Sequence, residues 1–305
     1  MTRICAPIAL FVYARHDHTK RTVGALLRNP LAEESDLIVF SDAPKRAEVA
    51  PAVQAVRDYI RTVRGFKSIT IVEQVENLGL AASIVNGVSK VSETHGRVIV
   101  MEDDLVTSPF FLSFMNDGLD RYAEVAQVAA ISGYHPPFDI PLPETFFQCD
   151  AECWGWATWN RAWRMFNPDG PHLLAELKRR NMQRMFDQQN SYPYIRMLED
   201  QIAGRNDSWA IRWRASVILN GMLSLYPGRP LTHNIGLDGS GTHGDALNLR
   251  EDLAHDRPVR VEAVPAVHSD EALQAFVRFN HSLARQQLKA KIVRRLRKII
   301  GLGAT

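Results

Sequence analysis

The sequence has few cysteines and no apolar segment of transmembrane length. Its 305 residues include only Cys5, Cys149 and Cys153, an odd number without the paired spacing of a zinc site. A disulfide framework is not indicated, so we expect a reducing, cytoplasmic compartment. No run approaches the roughly 20 apolar residues of a membrane-spanning helix. The apolar run Ile4–Ala14 is followed by charged residues and not by a signal-peptide cleavage site, so it is interpreted as the first strand.

Glycine-rich nucleotide-binding motifs are also missing. Neither GxGxxG nor GxxxxGK[ST] follows the first predicted strand, where the sequence reads HDHTKRT over residues 16–22. These motifs supply the backbone that cradles phosphates in dinucleotide-dependent dehydrogenases and P-loop enzymes. Both of those enzyme classes are therefore disfavoured.

The composition is that of a soluble globular protein, with 46% apolar and 23% charged residues. Strand-like runs alternate with helical patterns in the first half, which predicts an α/β fold with a mostly parallel sheet flanked by helices. We divide the chain into an α/β half (1–125), a second half of the same domain (126–268) and a helical tail (269–305). The predicted strands cover residues 8–14, 36–42, 69–74, 97–102, 128–132 and 223–227, and helical patterns cover 19–28, 79–95, 172–189 and 194–203.

Three adjacent carboxylates, Glu102, Asp103 and Asp104, follow the buried strand at residues 97–102. Ligands of open α/β sheets bind at the carboxyl ends of the strands, which is where this group falls. Carboxylates crowded at such a position repel each other and need a cation or several donors to stay ionised. The alternatives are a divalent metal site and a solvated acidic turn. The sequence Ser108-Pro109 predicts the start of the next helix.

The segment CWGWATWNRAW (residues 153–163) holds four of the six tryptophans. Its spacing mixes strand and helix periods, so the segment is predicted to turn from a strand into a helix. One interpretation is an aromatic wedge in the core. The other is an acceptor platform on which Trp154 and Trp156 stack against sugar rings while Gly155 permits a close approach.

The C-terminal tail is strongly basic on one side. Leu288, Ile292 and Leu296 recur at helical spacing, and no acidic residue lies between Arg285 and Lys298. This pattern is typical of an interfacial helix on an anionic membrane, and the alternative is a helix packed on the body of the protein. Nucleic acid is not expected as a partner, because the tail has no aromatic residue to stack on a base. The basic residues are Arg285, Lys289, Lys291, Arg294, Arg295, Arg297 and Lys298.

Several motifs in a fixed order resemble a known family. They are VIVMEDDL (98–105), NLGLAASIVNG (77–87), GWATW (155–159), DSWAIRW (207–213) and NIGLDGSGTH (234–243). Together they resemble bacterial GT-A glycosyltransferases, and the EDD region is similar to the eukaryotic N-acetylglucosaminyltransferase I family. The resemblance implies a GT-A fold and transfer of a sugar from a nucleotide sugar, with a UDP-sugar favoured as donor.

The resemblance also implies roles for individual residues. Asp104 would coordinate Mn²⁺ or Mg²⁺ at the donor diphosphate, and His243 would be an additional metal or phosphate ligand. The catalytic base would be Asp207, with Asp200 as a second candidate. The implied donor-binding residues are Arg15 near the diphosphate, Asp42 at the base, Asn77 in the donor-lining segment, and Glu102 and Asp103 at ribose and sugar hydroxyls.

The leading hypothesis is a metal-dependent inverting glycosyltransferase acting on a glycan or lipid-linked glycan, in bacterial cell-surface polysaccharide synthesis, at the inner membrane face. A sugar-1-phosphate nucleotidyltransferase would share the sheet and the carboxylates, but it would normally have a glycine-rich loop after the first strand. A membrane-recruited carbohydrate-binding module would leave the carboxylates idle. Metal-dependent turnover would separate both enzymes from the module, and the released product would separate the two enzymes from each other.

Overall fold

A computed structural model describes residues 4–237 and 253–299, with side chains described up to residue 289 in the last helix. The strands of these ranges are β1 (Ile8–Val12), β2 (Asp36–Ser41), β3 (Ser68–Glu73), β4 (Arg97–Glu102), β5 (Leu105–Thr107), β6 (Val128–Ser132), β7 (Thr145–Gln148), β8 (Trp156–Trp159), β9 (Leu223–Pro227) and β10 (Thr232–Asn234). The helices are α1 (His16–Leu26), α2 (Ala50–Thr62), α3 (Leu80–His95), α4 (Phe111–Arg121), α5 (Asn160–Trp163), α6 (Gly170–Arg179), α7 (Gln183–Phe186), α8 (Tyr194–Ile202), α9 (Trp209–Leu219) and α10 (Asp270–Ile299).

One large sheet organises the molecule, with the strand order β3-β2-β1-β4-β8-β6-β9-β7. The first four strands are parallel, and β6 and β9 are parallel to each other. β8 lies antiparallel between β4 and β6, and β7 is an antiparallel edge strand. β5 and β10 form a separate two-stranded antiparallel ladder. The predicted α/β fold with a mostly parallel sheet is confirmed. The domain boundaries at residues 125 and 268 stay predictions.

Helices cover both faces of the sheet, which explains why its central strands are apolar throughout. In β1 the side chains of Ile8, Leu10 and Val12 join one core cluster, whereas Ala9 and Phe11 join the other. Helices α1, α2 and α4 pack on the first face, and α3, α5 and α9 pack on the second. The alternation of side chains along a strand thus feeds two apolar layers.

A further helical layer covers α9. Helices α6, α7 and α8 bury Leu173, Phe186 and Leu198 against it. The single helix predicted over residues 172–189 is wrong, because the chain leaves α6 at Asn181, whose φ of 55° is left-handed, before α7 begins. Ser108 also lies before the helix that it was predicted to start, since α4 begins at Phe111 with Phe110 at its N-cap.

Helix α10 is anchored by its first half. Ala272, Ala275 and Phe276 are buried against the edge of the sheet. Residues 284–289 are exposed, so this part of the tail does not pack on the body, and Leu288 is 60% exposed. Within the described ranges, none of the helices has the length and apolar character needed to span a bilayer.

Candidate active site

The three predicted carboxylates lie together at the carboxyl end of β4, in the middle of the sheet. Arg15, which precedes the first turn of α1, forms an ion pair with Asp103 and donates from Nη2 to Asp104 Oδ2 at 3.0 Å. The backbone N–H of Tyr13 also faces Asp103 Oδ2, at 3.4 Å. The structure therefore brings Arg15, Asp103 and Asp104 together, with Glu102 beside them.

Burial and mutual repulsion disfavour the charged forms of Glu102 and Asp103, and Arg15 opposes this only in part. Although part of the residue stays exposed, burial of the Glu102 carboxyl group raises its pKa to about 8, and the charges of Asp104 and Asp103 add to the rise. Burial likewise raises the pKa of Asp103, against the opposing charge of Arg15. One guanidinium faces the carboxyl groups of both Asp103 and Asp104, and a divalent cation would neutralise the remaining negative charge and favour the ionised form of Glu102. The donor set of oxygen atoms suits Mg²⁺ or Mn²⁺.

No group of three His, Cys, Asp or Glu side chains with metal-ligand geometry occurs in residues 4–237 and 253–299. This is compatible with a metal that one or two carboxylates hold together with substrate phosphates, as is usual for Mg²⁺. The side chain of Asp104 is 14% exposed and therefore accessible to such an ion. His243, the other predicted ligand, lies outside the described residues.

The ladder between β5 and β10 places a glycine against Asp104. The backbone N–H of Ile235 donates to the Asp104 carbonyl at 2.8 Å, directly after β10. A Cβ at Gly236 would overlap Asp104 Oδ2 and lie 2.9 Å from Arg15 Nη1. A side chain here would displace the carboxylate of Asp104, so the NIGLDGSGTH motif (234–243) begins in contact with the site.

Asp42 is buried at the end of β2 and accepts four hydrogen bonds from the protein. Its Oδ1 accepts from the N–H groups of Ala43 and Leu78, and its Oδ2 accepts from Asn77 Nδ2 and the Gly79 N–H, all at 2.9–3.0 Å. A carboxylate offers about four acceptor positions, so this one is saturated. Asp42 and Asn77 fix the loop before α3. A contact between Asp42 and a base stays a prediction that requires one of these bonds to open.

The two candidate bases lie in different surroundings. Asp207 lies just before Ser208, the N-cap of α9, and its Oδ2 is 3.9 Å from the Cβ position of Gly79, in the loop that Asp42 holds. Its side chain is 69% exposed, with Arg212 at 3.9 Å. Asp200, near the end of α8, accepts a hydrogen bond from Arg205 Nε at 2.7 Å in a local ion pair. The structure thus brings Asp207 beside the loop at residues 77–79.

The prediction that Trp156 and Gly155 form an acceptor platform is wrong. Trp156 is fully buried, because its ring lies among three other tryptophans, and cannot stack on a ligand. Gly155 is buried as well, and the close approach that it permits is that of the Thr232 methyl group, 2.6 Å from its Cβ position. The core-wedge interpretation therefore holds for Trp156. Trp154 stays half-buried beside Tyr134, with ring centroids 4.5 Å apart, and stays a candidate.

Sequence reasoning missed Arg57, which ties the ends of β2 and β3 together. From α2 its Nη2 donates to the carbonyls of Gln74 and Asp42 at 2.9 and 3.3 Å, and its Nε donates to Ser41 Oγ at 3.2 Å. A guanidinium with five donors suits such a junction. An arginine in an amphipathic helix carries no signal of this role in the sequence.

No protein-family model matches the chain, and no curated protein matches it. Among solved structures the chain is similar to TarS from S. aureus, with 11% identity and a TM-score of 0.31 over 46% of this chain and 24% of TarS. It is also similar to a mannosyltransferase from Pyrobaculum calidifontis in complex with GDP-Man and Mn²⁺, with 12% identity and a TM-score of 0.38 over 71% of this chain and 69% of that one. The chain thus spans about a quarter of the length of TarS. Since both TM-scores are below 0.5, the function of this chain has to be inferred from its own site.

Proposed function

We propose that the chain is a metal-dependent inverting glycosyltransferase that transfers a sugar from a nucleotide sugar to a hydroxyl of a glycan. The observation that carries this proposal is the group of Glu102, Asp103 and Asp104 at the carboxyl end of a central strand, with Arg15 as its partner cation. Such a group can hold a cation and, through it, an anionic ligand. A nucleoside diphosphate is the ligand that this position in an α/β sheet suits best.

We assign the following residues to the binding of the donor. Asp104 would hold Mn²⁺ or Mg²⁺, and the metal would stabilise the negative charge of the leaving diphosphate. Arg15 adds a fixed positive charge at the same place. Asp103 and Glu102 would accept hydrogen bonds from ribose and sugar hydroxyls. Asn77 and Asp42 would form the wall at the base, and a UDP-sugar is the donor we propose.

The reaction also needs a base on the acceptor side, and Asp207 is the residue we propose for it. Its carboxylate would take the proton from the acceptor hydroxyl as that oxygen attacks the anomeric carbon. The bond from this carbon to the diphosphate oxygen breaks at the same time, and the configuration inverts. The exposed side chain of Asp207, beside the loop at Gly79, supports this role.

Donor cleavage tests the function. The full chain is incubated with UDP- and GDP-sugars in Mn²⁺, in Mg²⁺ and in EDTA, and the products are separated. We expect release of a nucleoside diphosphate with metal and none in EDTA. With a nucleoside triphosphate and a sugar 1-phosphate as substrates instead, release of pyrophosphate would indicate a nucleotidyltransferase. No reaction with either set of substrates would contradict both enzymes.

We further propose that α10 recruits the enzyme to an anionic membrane, at the inner face of a bacterial cell membrane, where it acts on a lipid-linked acceptor for surface polysaccharide. Residues 284–289 leave the body, and seven basic residues lie between Arg285 and Lys298 without an acidic one. Each basic side chain near an anionic surface contributes about 1 kcal/mol, and apolar side chains add burial.

Liposome co-sedimentation tests the tail. We expect the full chain to pellet with anionic vesicles at low salt and to be released at high salt, because the attraction is screened. A chain that ends at Ser282 keeps the buried anchor residues of α10 and should stay in solution. Equal pelleting of the two chains, or pelleting with neutral vesicles alone, would contradict a role of the tail as an electrostatic anchor.

A further inference from the structure

Helix α1 holds the carboxylates after β4 from one side. Thr22 is fully buried and donates from Oγ1 to the Asp103 carbonyl at 2.9 Å. Arg15, the N-cap of the same helix, forms ion pairs with the side chains of Asp103 and Asp104. The carbonyl of Arg15 accepts a hydrogen bond from Thr19 Oγ1 at 2.8 Å. One helix therefore fixes both the backbone and the side chains of this group.

His18, on the same helix, contacts the chain directly after β10. Its Nε2 lies 3.2 Å from the carbonyl oxygen of Ile235, and 217 positions separate the two residues in the sequence. A carbonyl oxygen can only accept a hydrogen bond, so Nε2 is the protonated nitrogen and donates. The half-buried ring of His18 thus joins α1 to residue 235.

Residues 235 and 236 lie in turn against Asp104. The Ile235 N–H donates to the Asp104 carbonyl at 2.8 Å, so Ile235 is bonded to Asp104 through its N–H and to His18 through its carbonyl. The next N–H, that of Gly236, donates to Asn234 Oδ1 at 2.8 Å. A Cβ at Gly236 would overlap Asp104 Oδ2, which shows how closely this backbone borders the carboxylate.

A continuous series of hydrogen bonds therefore surrounds the proposed metal ligand. It leads from His18 through Ile235 to the backbone of Asp104, and from the adjoining Asp103 through Thr22 back to α1. Each of these bonds joins segments that are distant in the sequence. The side chain of Asp104 is 14% exposed, and the backbone at residue 236 borders it on one side. Its position therefore depends on where Ile235 is held.

We propose that His18 is a positioning residue for the Mn²⁺ or Mg²⁺ site, an inference that rests on the proposed transferase function. It holds Ile235 and the following glycine against Asp104, and so fixes the carboxylate that would bind the metal. His18 acts through the backbone of Ile235 and is not itself a ligand. Groups that orient metal ligands typically contribute about 10- to 100-fold to metal affinity. Because one residue intervenes here, we expect an effect at the lower end of that range.

Three substitutions of His18 in the full chain test this role. His18→Leu removes the donor. His18→Gln keeps an amide N–H that extends about as far from the backbone as Nε2 of histidine, whereas the amide of His18→Asn is one methylene shorter. Titration calorimetry measures the Kd of UDP and of GDP with MnCl₂ and with EDTA. We expect His18→Leu and His18→Asn to weaken Mn²⁺-dependent binding about 10-fold, and His18→Gln to restore most of the affinity.

A matched control and a double variant locate the effect. His95→Leu makes the same change on the exposed last residue of α3, at the opposite end of β4, and should bind normally. Gly236→Ala displaces the same carboxylate from the other end of the contact. If His18 acts through residues 235 and 236, His18→Asn should cost less in the Gly236→Ala chain than in the wild type. Losses that multiply in full would overturn the proposed route.

The remaining outcomes separate the role of His18 from the function of the chain. Wild-type affinity in His18→Leu and His18→Asn would overturn the role of His18 and leave the transferase in place. Equal losses in His18→Gln and His18→Asn would also overturn it, because the hydrogen bond would then not matter. Metal-free melting temperatures identify a loss due to unfolding, and the comparison of glutamine with asparagine decides if the leucine variant does not fold. Absence of Mn²⁺-dependent nucleotide binding in the wild-type chain would contradict the metal-dependent transferase and the role of His18 together.

Discussion

Replacing Asp104 with alanine is expected to abolish metal-dependent binding of the nucleotide. Mutating partners behind a metal ligand typically costs about 10- to 100-fold in metal affinity, so loss of the ligand itself should cost at least as much. A ligand that binds only the folded state raises its stability by about 2.7 kcal/mol at 100 times its Kd. The wild-type chain should therefore show a Mn²⁺-dependent rise in melting temperature with UDP or GDP, and Asp104→Ala should not.

The same variant should fold normally without metal. Asp104 is one of the charges that raise the pKa of Glu102, so its removal relieves repulsion at the end of β4. The hydrogen bond from the Ile235 N–H uses the Asp104 carbonyl and survives the change to alanine. We expect a metal-free melting temperature equal to or above that of the wild type. A lower value would mean that Asp104 is needed for folding.

A second variant keeps the carboxylate and moves it. Gly236→Ala places a methyl group against Asp104 Oδ2, which has to shift. Gly24→Ala is a matched control, because nothing lies within 4 Å of its Cβ position on α1. We expect only Gly236→Ala to weaken Mn²⁺-dependent nucleotide binding. Unchanged binding in both Asp104→Ala and Gly236→Ala would refute the metal assignment.

Parts of this fold can be predicted from sequence because they depend on local patterns. Runs such as Ile8–Val12 are apolar at every position, which indicates strands buried on both faces. The order of strands and helices then predicts the parallel half of the sheet. Glu102, Asp103 and Asp104 directly follow such a run, so their position at the carboxyl edge follows from the strand alone. β1 and β4 are parallel neighbours, so the residues that follow them lie side by side at the carboxyl edge. This places Arg15, after β1, next to the carboxylates after β4.

Other features depend on partners distant in the chain. From its own segment Trp156 could be a platform for a sugar. It is a core residue because Trp209 and Trp213 of α9 pack against its ring. Asp42 looks like a free carboxylate after β2 until the loop at residues 77–79 saturates it. The turn at residues 188–190 contains no glycine, so its left-handed backbone has no local signal. The long-range partners of Gln188 in this turn are Asp150 and Asn280, which no local pattern predicts.

Replacing Asp207 with asparagine should separate binding from chemistry. A general base acts on the acceptor in the transition state, so donor affinity should persist while transfer falls about 10² to 10⁴-fold. The measurements are the Mn²⁺-dependent thermal shift with the nucleoside diphosphate and the rate of sugar transfer. Loss of the thermal shift would show that Asp207 contributes to the donor site, which its proximity to Gly79 would then explain.

Asp200→Asn is the matched comparison, because it removes the same charge from the other candidate base. Asp200 is engaged by Arg205 within its own helical layer, whereas Asp207 lies beside the loop that Asp42 fixes. An asparagine at position 200 can still accept a hydrogen bond from Arg205, so the local turn should survive. We expect transfer by Asp200→Asn to stay within a few-fold of the wild-type rate. Normal transfer by Asp207→Asn together with loss in Asp200→Asn would move the base to α8 and remove Asp207 from the mechanism.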